Sequence, residues 1–173
     1  SSGLPWYDQR LSVKTAYFEP GVSIGSCFDL FNGCSNLVSA DLSQLDTSNV
    51  TTMGYMFTDC HSLESVNLRG LDTSNVRYLD SMFYYCKALI SLDLSSFDTS
   101  SVLSMRSLFY GCSNLVSINL SNFDTSSATD MASMFSDCTA LASLDVSSFD
   151  TSNVTNMGGM FAYCPSLTSL DLS

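Results

Sequence analysis

Six cysteines recur at one fixed interval and are the residues of this sequence best suited to covalent or metal chemistry. They lie 26 residues apart, at Cys34, Cys60, Cys86, Cys112, Cys138 and Cys164. Zinc sites favour C-x-x-C pairs and histidines, whereas this chain has no such pair and only His61. Side chains in equivalent positions point the same way and do not reach the ~3.8 Å between Cβ atoms that a disulfide needs. The spacing therefore favours buried free thiols, and Cys27, outside the series, is predicted to be the reactive one.

A second regular series could concern cation binding. Each of its carboxylates is followed by Thr-Ser, at Asp46, Asp72, Asp98, Asp124 and Asp150. Ca²⁺ takes six to eight oxygen ligands, but calcium-binding repeats use glycine-rich turns that bring several carboxylates to one ion. Short polar side chains also cap the free N–H groups at a helix start. Capping explains the series without an ion, so neither a metal nor a cofactor is predicted.

Composition argues against several classes of function. A hydrolase triad would need His61 and a nearby nucleophile, and carboxylates repeated in every unit do not mark one irregular active site; the chain is predicted not to be an enzyme. The net charge of −11 repels phosphate, which argues against nucleic-acid binding. No stretch approaches the ~20 apolar residues of a membrane span, so no direct membrane insertion is expected.

A 26-residue repeat must position these side chains. Residues 37–173 are predicted to form five regular repeats and a final half-repeat, and residues 1–36 a degenerate N-terminal repeat of the same solenoid. Each unit begins with an L-x-x-L-x-L pattern, which indicates a half-buried strand, and continues with apolar residues at helical spacing. The inward positions of the first regular unit are Leu37, Ala40, Leu42, Leu45, Val50, Met53, Met56, Phe57 and Cys60.

One unit buries too little apolar surface to fold alone, so the units must stack. Strands stack at ~4.8 Å, while neighbouring helices need ~8 to 10 Å. The predicted fold class is therefore α/β: a curved solenoid with parallel strands on the concave face and short helices on the convex face.

The recurring columns L-x-S-L-D-L-S, F-D-T-S-N-V and M-x-x-M-F-x-x-C resemble the BspA-like leucine-rich repeats of bacterial surface proteins. Residues 149–157, FDTSNVTNM, carry this resemblance most closely. It implies a leucine-rich-repeat solenoid, an extracellular or cell-surface location, and adhesion to a host or matrix protein or glycan. It also implies flanking repeats or an anchor domain in a longer protein, and no shared catalytic residues.

Two surfaces are candidate ligand sites. The outward strand positions could form a polar ligand surface or a merely solvated face; they include Tyr17, Asp41, Asn67, Arg69, Asp93, Asn119 and Asp145. In adjacent units, Tyr84, Tyr85 and Tyr110 could form one amphipathic patch, or could simply pack between neighbouring repeats.

The sequence leaves two functions open. The preferred hypothesis is a non-enzymatic extracellular adhesion module that recognises a protein or glycan through a repeat surface. The alternative is a structural spacer or stalk that displays another domain of a cell-surface protein. Ice binding by the Thr-Ser series is disfavoured because the series is flanked by Asp.

Overall fold

The computed structural model describes residues 7–170 and shows a stack of parallel coils. A 3₁₀ turn at Tyr7–Gln9 precedes five strands: β1 (Thr15–Tyr17), β2 (Ser39–Asp41), β3 (Ser65–Asn67), β4 (Ser91–Asp93) and β5 (Ser117–Asn119). Strands β1, β2 and β3 form one parallel sheet, and β4 and β5 form a second. Residues 1–6 and 171–173, at the outer ends of the two predicted segments, lie outside the described residues.

Equivalent residues of successive coils lie beside one another. Ala40 of β2 pairs with Ala16 of β1 and Val66 of β3, and Leu92 of β4 pairs with Ile118 of β5. This register superposes each column of the repeat on itself. The sequence period therefore becomes the period of the solenoid, as the leucine-rich-repeat pattern predicts.

A second ladder joins the coils on another side. Its parallel bridges run through Thr52, Tyr78, Ser104, Asp130 and Asn156. Beyond it, backbone groups continue to pair between coils: the Phe57 N–H donates to the Met82 carbonyl at 2.8 Å, and the Phe83 N–H to the Leu108 carbonyl at 2.9 Å. Backbone hydrogen bonds thus connect coil to coil along more than one side.

The predicted convex helices are absent from residues 7–170, where the only helical element is the 3₁₀ turn at Tyr7–Gln9. Each coil instead contains two residues of positive φ four positions apart, such as Tyr55 at 58° and Asp59 at 58°. An α-helix requires φ near −63° throughout, so these residues end any helix. The N–H groups pair with the next coil rather than along their own segment. The predicted curvature also loses its basis, because it rested on the wider spacing of helices.

The core follows the predicted columns. All nine inward positions of the first regular unit are buried, which confirms that prediction. Phenylalanine rings of successive coils stack through the centre, with centroids 5.3 to 6.0 Å apart. The stack runs through Phe31, Phe57, Phe83, Phe109, Phe135 and Phe161.

A cavity of about 480 Å³ opens at the last coil, lined by residues that include Phe149, Met157 and Phe161. Met157 is 46% exposed, whereas Met131, in the equivalent position one coil earlier, is fully buried. The next coil covers these columns at every earlier position. The cavity is therefore the uncovered face of a coil rather than a site shaped for a small ligand.

None of the helical segments in the described part of the chain has the length and apolar character needed to span a bilayer.

Candidate functional site

The cysteine series lies in the core as free thiols, as predicted, with Cys164 of the last coil only partly buried. Five of these thiols donate a hydrogen bond to a phenylalanine carbonyl of the preceding coil, those of Cys60, Cys86, Cys112, Cys138 and Cys164. The Cys86 Sγ, for example, lies 3.2 Å from the Phe57 oxygen. The prediction that Cys27 is reactive is wrong. Its side chain is fully buried and burial raises its pKa to about 12, so it holds almost no thiolate at neutral pH.

The Asp-Thr-Ser series caps turns. The Asp98 Oδ1 accepts hydrogen bonds from the Ser100 N–H at 3.0 Å and the Ser100 hydroxyl at 2.7 Å. Capping was predicted, but the structure that it caps is a turn and not a helix. Within residues 7–170, no group of three or more His, Cys, Asp and Glu side chains could hold a metal ion.

The threonine of this series has a role that the sequence analysis missed. The Thr99 hydroxyl donates to the Asp124 carbonyl at 2.9 Å and accepts from the Asp124 N–H at 2.8 Å, in the next coil. Thr47, Thr73 and Thr125 are likewise buried and donate to the equivalent carbonyls of the next coil. Exact repetition of a β-branched hydroxyl in one column was the signal that could have revealed this threonine ladder.

The outward strand positions form pairs of polar side chains. The Asn67 Nδ2 donates to the Asp41 Oδ1 at 3.1 Å, and the Asn119 Nδ2 donates to the Asp93 Oδ1 at 3.2 Å. Alternation of Asp with Asn therefore replaces repulsion between neighbouring carboxylates by a hydrogen bond. The Asp145 Oδ1 accepts from the Ser147 N–H at 3.0 Å and from the Ser147 hydroxyl at 2.7 Å.

Arg69 and Tyr17 are the irregular members of this face. The Arg69 guanidinium lies 3.7 Å from the Asp93 carboxylate. This ion pair joins β3 to β4, two strands that are not paired with each other in the described residues 7–170. Tyr17 is 72% exposed on the outer strand β1. The face is thus extended and polar, with most of its carboxylates engaged locally.

Acid is expected to weaken the folded state through the capping carboxylates. The Ser126 hydroxyl and N–H lower the pKa of Asp124 below its ordinary value, as the serine two residues later does at the equivalent Asp46, Asp72 and Asp150. A carboxyl whose pKa is lower in the folded state stabilises above its unfolded pKa of about 3.9, and this contribution is lost as the pH falls through the folded value. Urea unfolding between pH 6 and pH 2 measures the loss.

Asp124→Asn is the matched control for this titration, because the amide oxygen accepts the same bonds without titrating. The overall charge changes from −11 at pH 7 to zero near pH 4.1 and is positive below it. This change acts on both proteins alike, so the difference between them isolates Asp124. If both proteins lose stability in parallel below pH 4, the capping carboxylate does not contribute as described.

Tyr84, Tyr85 and Tyr110 are in mutual contact, as the sequence proposed, and are called here the tyrosine cluster. Tyr84 and Tyr110 occupy the same position in adjacent coils and stack at 4.9 Å between ring centroids, with 12° between their planes. Tyr85 meets both rings edge-on, at 4.6 Å and 5.5 Å. The three rings form one aromatic surface across two coils, and each remains partly exposed.

The backbone around the tyrosine cluster is specialised. Tyr85 has a φ of 56°, a region that non-glycine residues rarely adopt. Its ring lies over Gly111 of the next coil, where a Cβ atom would be 2.2 Å from the Tyr85 Cδ1. Any side chain at position 111 would displace this ring, so the glycine creates the space for Tyr85.

Charged groups border the tyrosine cluster. The Tyr110 hydroxyl is hydrogen-bonded to the Asp137 carboxylate, which raises the pKa of Tyr110. Burial raises the pKa of Tyr84, and the negative charges of Asp59 and Asp137 add to this effect. The Lys87 Nζ lies over the Tyr85 ring, 5.0 Å from its centroid. The cluster is thus an aromatic surface with an acidic border and one intramolecular cation.

Other exposed aromatic residues are separate from this cluster. Phe28 and Tyr55 meet edge-on at 5.5 Å, and Tyr78 and Tyr163 are also exposed. Phe28 was not singled out in the sequence analysis. The sequence feature that could have identified Phe28 is its aromatic side chain, because the equivalent positions of later coils hold Gly54, Asp80 and Arg106.

This chain is similar to one protein family in sequence and to two solved proteins in structure. Residues 22–113 and 87–172 match the family described as "Mycoplasma protein of unknown function, DUF285". A leucine-rich repeat protein from Bacteroides ovatus ATCC 8483 is similar in structure, with a TM-score of 0.49 and 20% identity over 88% of this chain. The chain spans 44% of the length of that protein.

A leucine-rich repeat protein of T. pallidum is also similar, with a TM-score of 0.38, 19% identity and coverage of 87% of each chain. Both structural matches are weak. The description of this chain as a solenoid therefore rests on the register between its own coils. A search of curated proteins found no match.

Proposed function

This chain belongs to the family described as "Mycoplasma protein of unknown function, DUF285", and we propose that it is a non-enzymatic interaction module whose tyrosine cluster binds a protein or glycan partner. We further propose that it acts at the cell surface or outside the cell, as an adhesion module. The resemblance of its columns to the BspA-like repeats of bacterial surface proteins supports this location. Flanking repeats or an anchor domain in a longer protein are part of the same proposal.

The observation that carries the proposal is the conformation of Tyr85. In each coil two positions have positive φ, and nine of the twelve hold Gly, Asp or Ser, residues that suit turns. Tyr55, Tyr85 and Tyr163 are the three exceptions. A non-glycine residue in this region costs about 1 to 3 kcal/mol, and such residues cluster at functional sites.

The coil itself does not need a tyrosine at position 85. The equivalent Asp59 and Asp137 adopt the same conformation with smaller side chains. Tyr85 also requires the vacancy at Gly111, so positions in two neighbouring coils accommodate one partly exposed ring. This combination favours a contact surface over a packing element.

The chemistry of the tyrosine cluster suits recognition. Tyrosine is enriched among the residues that dominate binding energy, because a rigid aromatic body and a polar hydroxyl are presented together. The strand face has no such aromatic group except Tyr17, and its carboxylates are engaged with neighbouring asparagines and serines. The strand face is therefore the second candidate surface for a ligand.

Tyr84→Ala combined with Tyr110→Ala is expected to reduce binding at least tenfold, because the loss of two central aromatic contacts costs more than 1.4 kcal/mol. The measurement is binding of the purified chain to an array of matrix proteins and to a glycan array, followed by titration of each positive spot. Tyr163→Ala is the matched control, because Tyr163 is 77% exposed and distant in sequence from the cluster.

A second variant pair tests the strand face: Asp93→Lys with Asn119→Lys. If only this double variant loses binding, the partner binds the strand face and not the tyrosine cluster. Retention of binding by both sets would rule out both surfaces. Empty arrays with the wild-type chain would favour the spacer, whose supporting observation is the uninterrupted threonine ladder through successive coils.

A further inference from the structure

We propose that the tyrosine cluster recognises a basic protein segment, whose arginine or lysine takes the position that Lys87 holds over the Tyr85 ring. The proposal rests on the function proposed above and narrows its partner to one class. It also gives Lys87 a specific role, as an intramolecular cation that competes with the partner.

The contact between Lys87 and Tyr85 identifies the chemistry that this surface accepts. The Lys87 Nζ lies 5.0 Å from the ring centroid, within the ~6 Å at which the negative face of an aromatic ring attracts a cation. Lys87 is an exposed side chain on a flexible aliphatic stem. It can leave the ring without disturbing the core, so the ring face becomes available to another cation.

Two carboxylates lie close enough to reinforce this preference. Asp137 accepts from the Tyr110 hydroxyl and keeps further lone pairs for another donor. The Asp59 carboxylate adds negative charge near Tyr84, and its Oδ1 lies 3.3 Å from the His61 Nε2. The planar guanidinium of arginine can stack on a tyrosine and donate to a carboxylate at the same time, so arginine suits this border better than a neutral side chain.

The charge distribution along the chain attracts the same class of partner. The chain carries −11 overall, and residues 107–170 contain five Asp and no Lys or Arg. The tyrosine cluster lies at the edge of this acidic part, since Tyr110 belongs to its first residues. A potential of this sign accelerates the approach of a basic segment and disfavours an acidic one.

The proposal predicts that removal of a positive charge from the surface strengthens binding. The probe is a synthetic decapeptide of alternating Arg and Ser, with a Gln-Ser peptide as the neutral comparison, titrated by calorimetry at low and at physiological salt. Lys87→Met is expected to tighten Arg-Ser binding about three- to fivefold, because it frees a cation–π position. It keeps a side chain of similar length. The Gln-Ser peptide is expected to bind neither protein.

Arg77→Met is the matched control, because it removes the same charge from an exposed position outside the cluster. Equal tightening by Arg77→Met and Lys87→Met would show that net charge alone acts, and would overturn the proposal. Weaker or unchanged binding with Lys87→Met would overturn it as well. Tyr84→Ala with Tyr110→Ala is expected to abolish the gain.

The two proposals fail in different ways. If the Arg-Ser peptide does not bind the wild-type chain, but an array partner is still lost on Tyr84→Ala with Tyr110→Ala, the cluster is a binding site for another class of ligand. The basic-segment proposal is then wrong, and the interaction function stands. If the array partner and the peptide are both insensitive to the tyrosines, both proposals are wrong.

Discussion

Phe83→Ala is expected to lower the free energy of unfolding by about 4 kcal/mol. The Phe83 ring is fully buried and stacks on Phe57 at 5.5 Å and on Phe109 at 6.0 Å, so its removal opens a cavity between three coils. Because each coil is stabilised by its neighbours, a weakened central coil affects both halves of the stack. Urea unfolding followed by circular dichroism measures the change.

Phe161→Ala is the matched control, since it removes the same side chain from the same column. Within residues 7–170, Phe161 stacks on one ring, that of Phe135 at 5.7 Å, and it is partly exposed at the last coil. Its loss is expected to cost less than half as much as the loss of Phe83. Equal costs at the two positions would show that stacking between coils does not control stability.

Thr99→Val is expected to cost about 3 kcal/mol, although the two side chains have nearly the same shape. The substitution leaves the N–H and the carbonyl of Asp124 without the hydroxyl that satisfies both. The Thr99 side chain is buried and both hydrogen bonds are partly buried, and each polar group left unsatisfied away from water costs about 1 to 3 kcal/mol. The same urea experiment measures this loss.

Thr129→Val separates hydrogen bonding between coils from simple loss of a hydroxyl. The Thr129 hydroxyl also donates to a carbonyl of a neighbouring coil, that of Leu103 at 3.1 Å, but the side chain is exposed. Water can replace its bond, so the expected loss is below about 1 kcal/mol. A cost at Thr99 no greater than at Thr129 would contradict the role given to the threonine ladder.

The inward columns could be predicted because burial needs only the period and the apolar residue types. Leu37, Val50 and Phe57 are buried as predicted, whatever element carries them. The element itself could not be predicted in this way. Apolar spacing of three and four residues is shared by a helix and by successive turns, and the positive φ of Tyr55 and Asp59 distinguishes them.

The tyrosine cluster was predicted in part. Tyr84 and Tyr110 share a column in adjacent repeats, which suffices to infer that their rings meet. Backbone conformation determines three further features: the strain at Tyr85, the vacancy at Gly111 and the position of Lys87. No periodicity in the sequence reveals them. The burial of Cys27 was missed because it lies outside the cysteine series, and pattern alone gave it no inward partner.

The hydrogen bonds from coil to coil determine how the chain would respond to tension. A force that draws the two ends apart loads the bonds of an end coil first, such as those that join the Phe135 and Met160 coils. Coils would then detach one after another, because no bond of the interior is loaded until its outer neighbour has gone. Each detached coil releases 26 residues, or roughly 90 Å of extended chain. A molecule anchored at one end and bound at the other would therefore lengthen in steps and dissipate the pull.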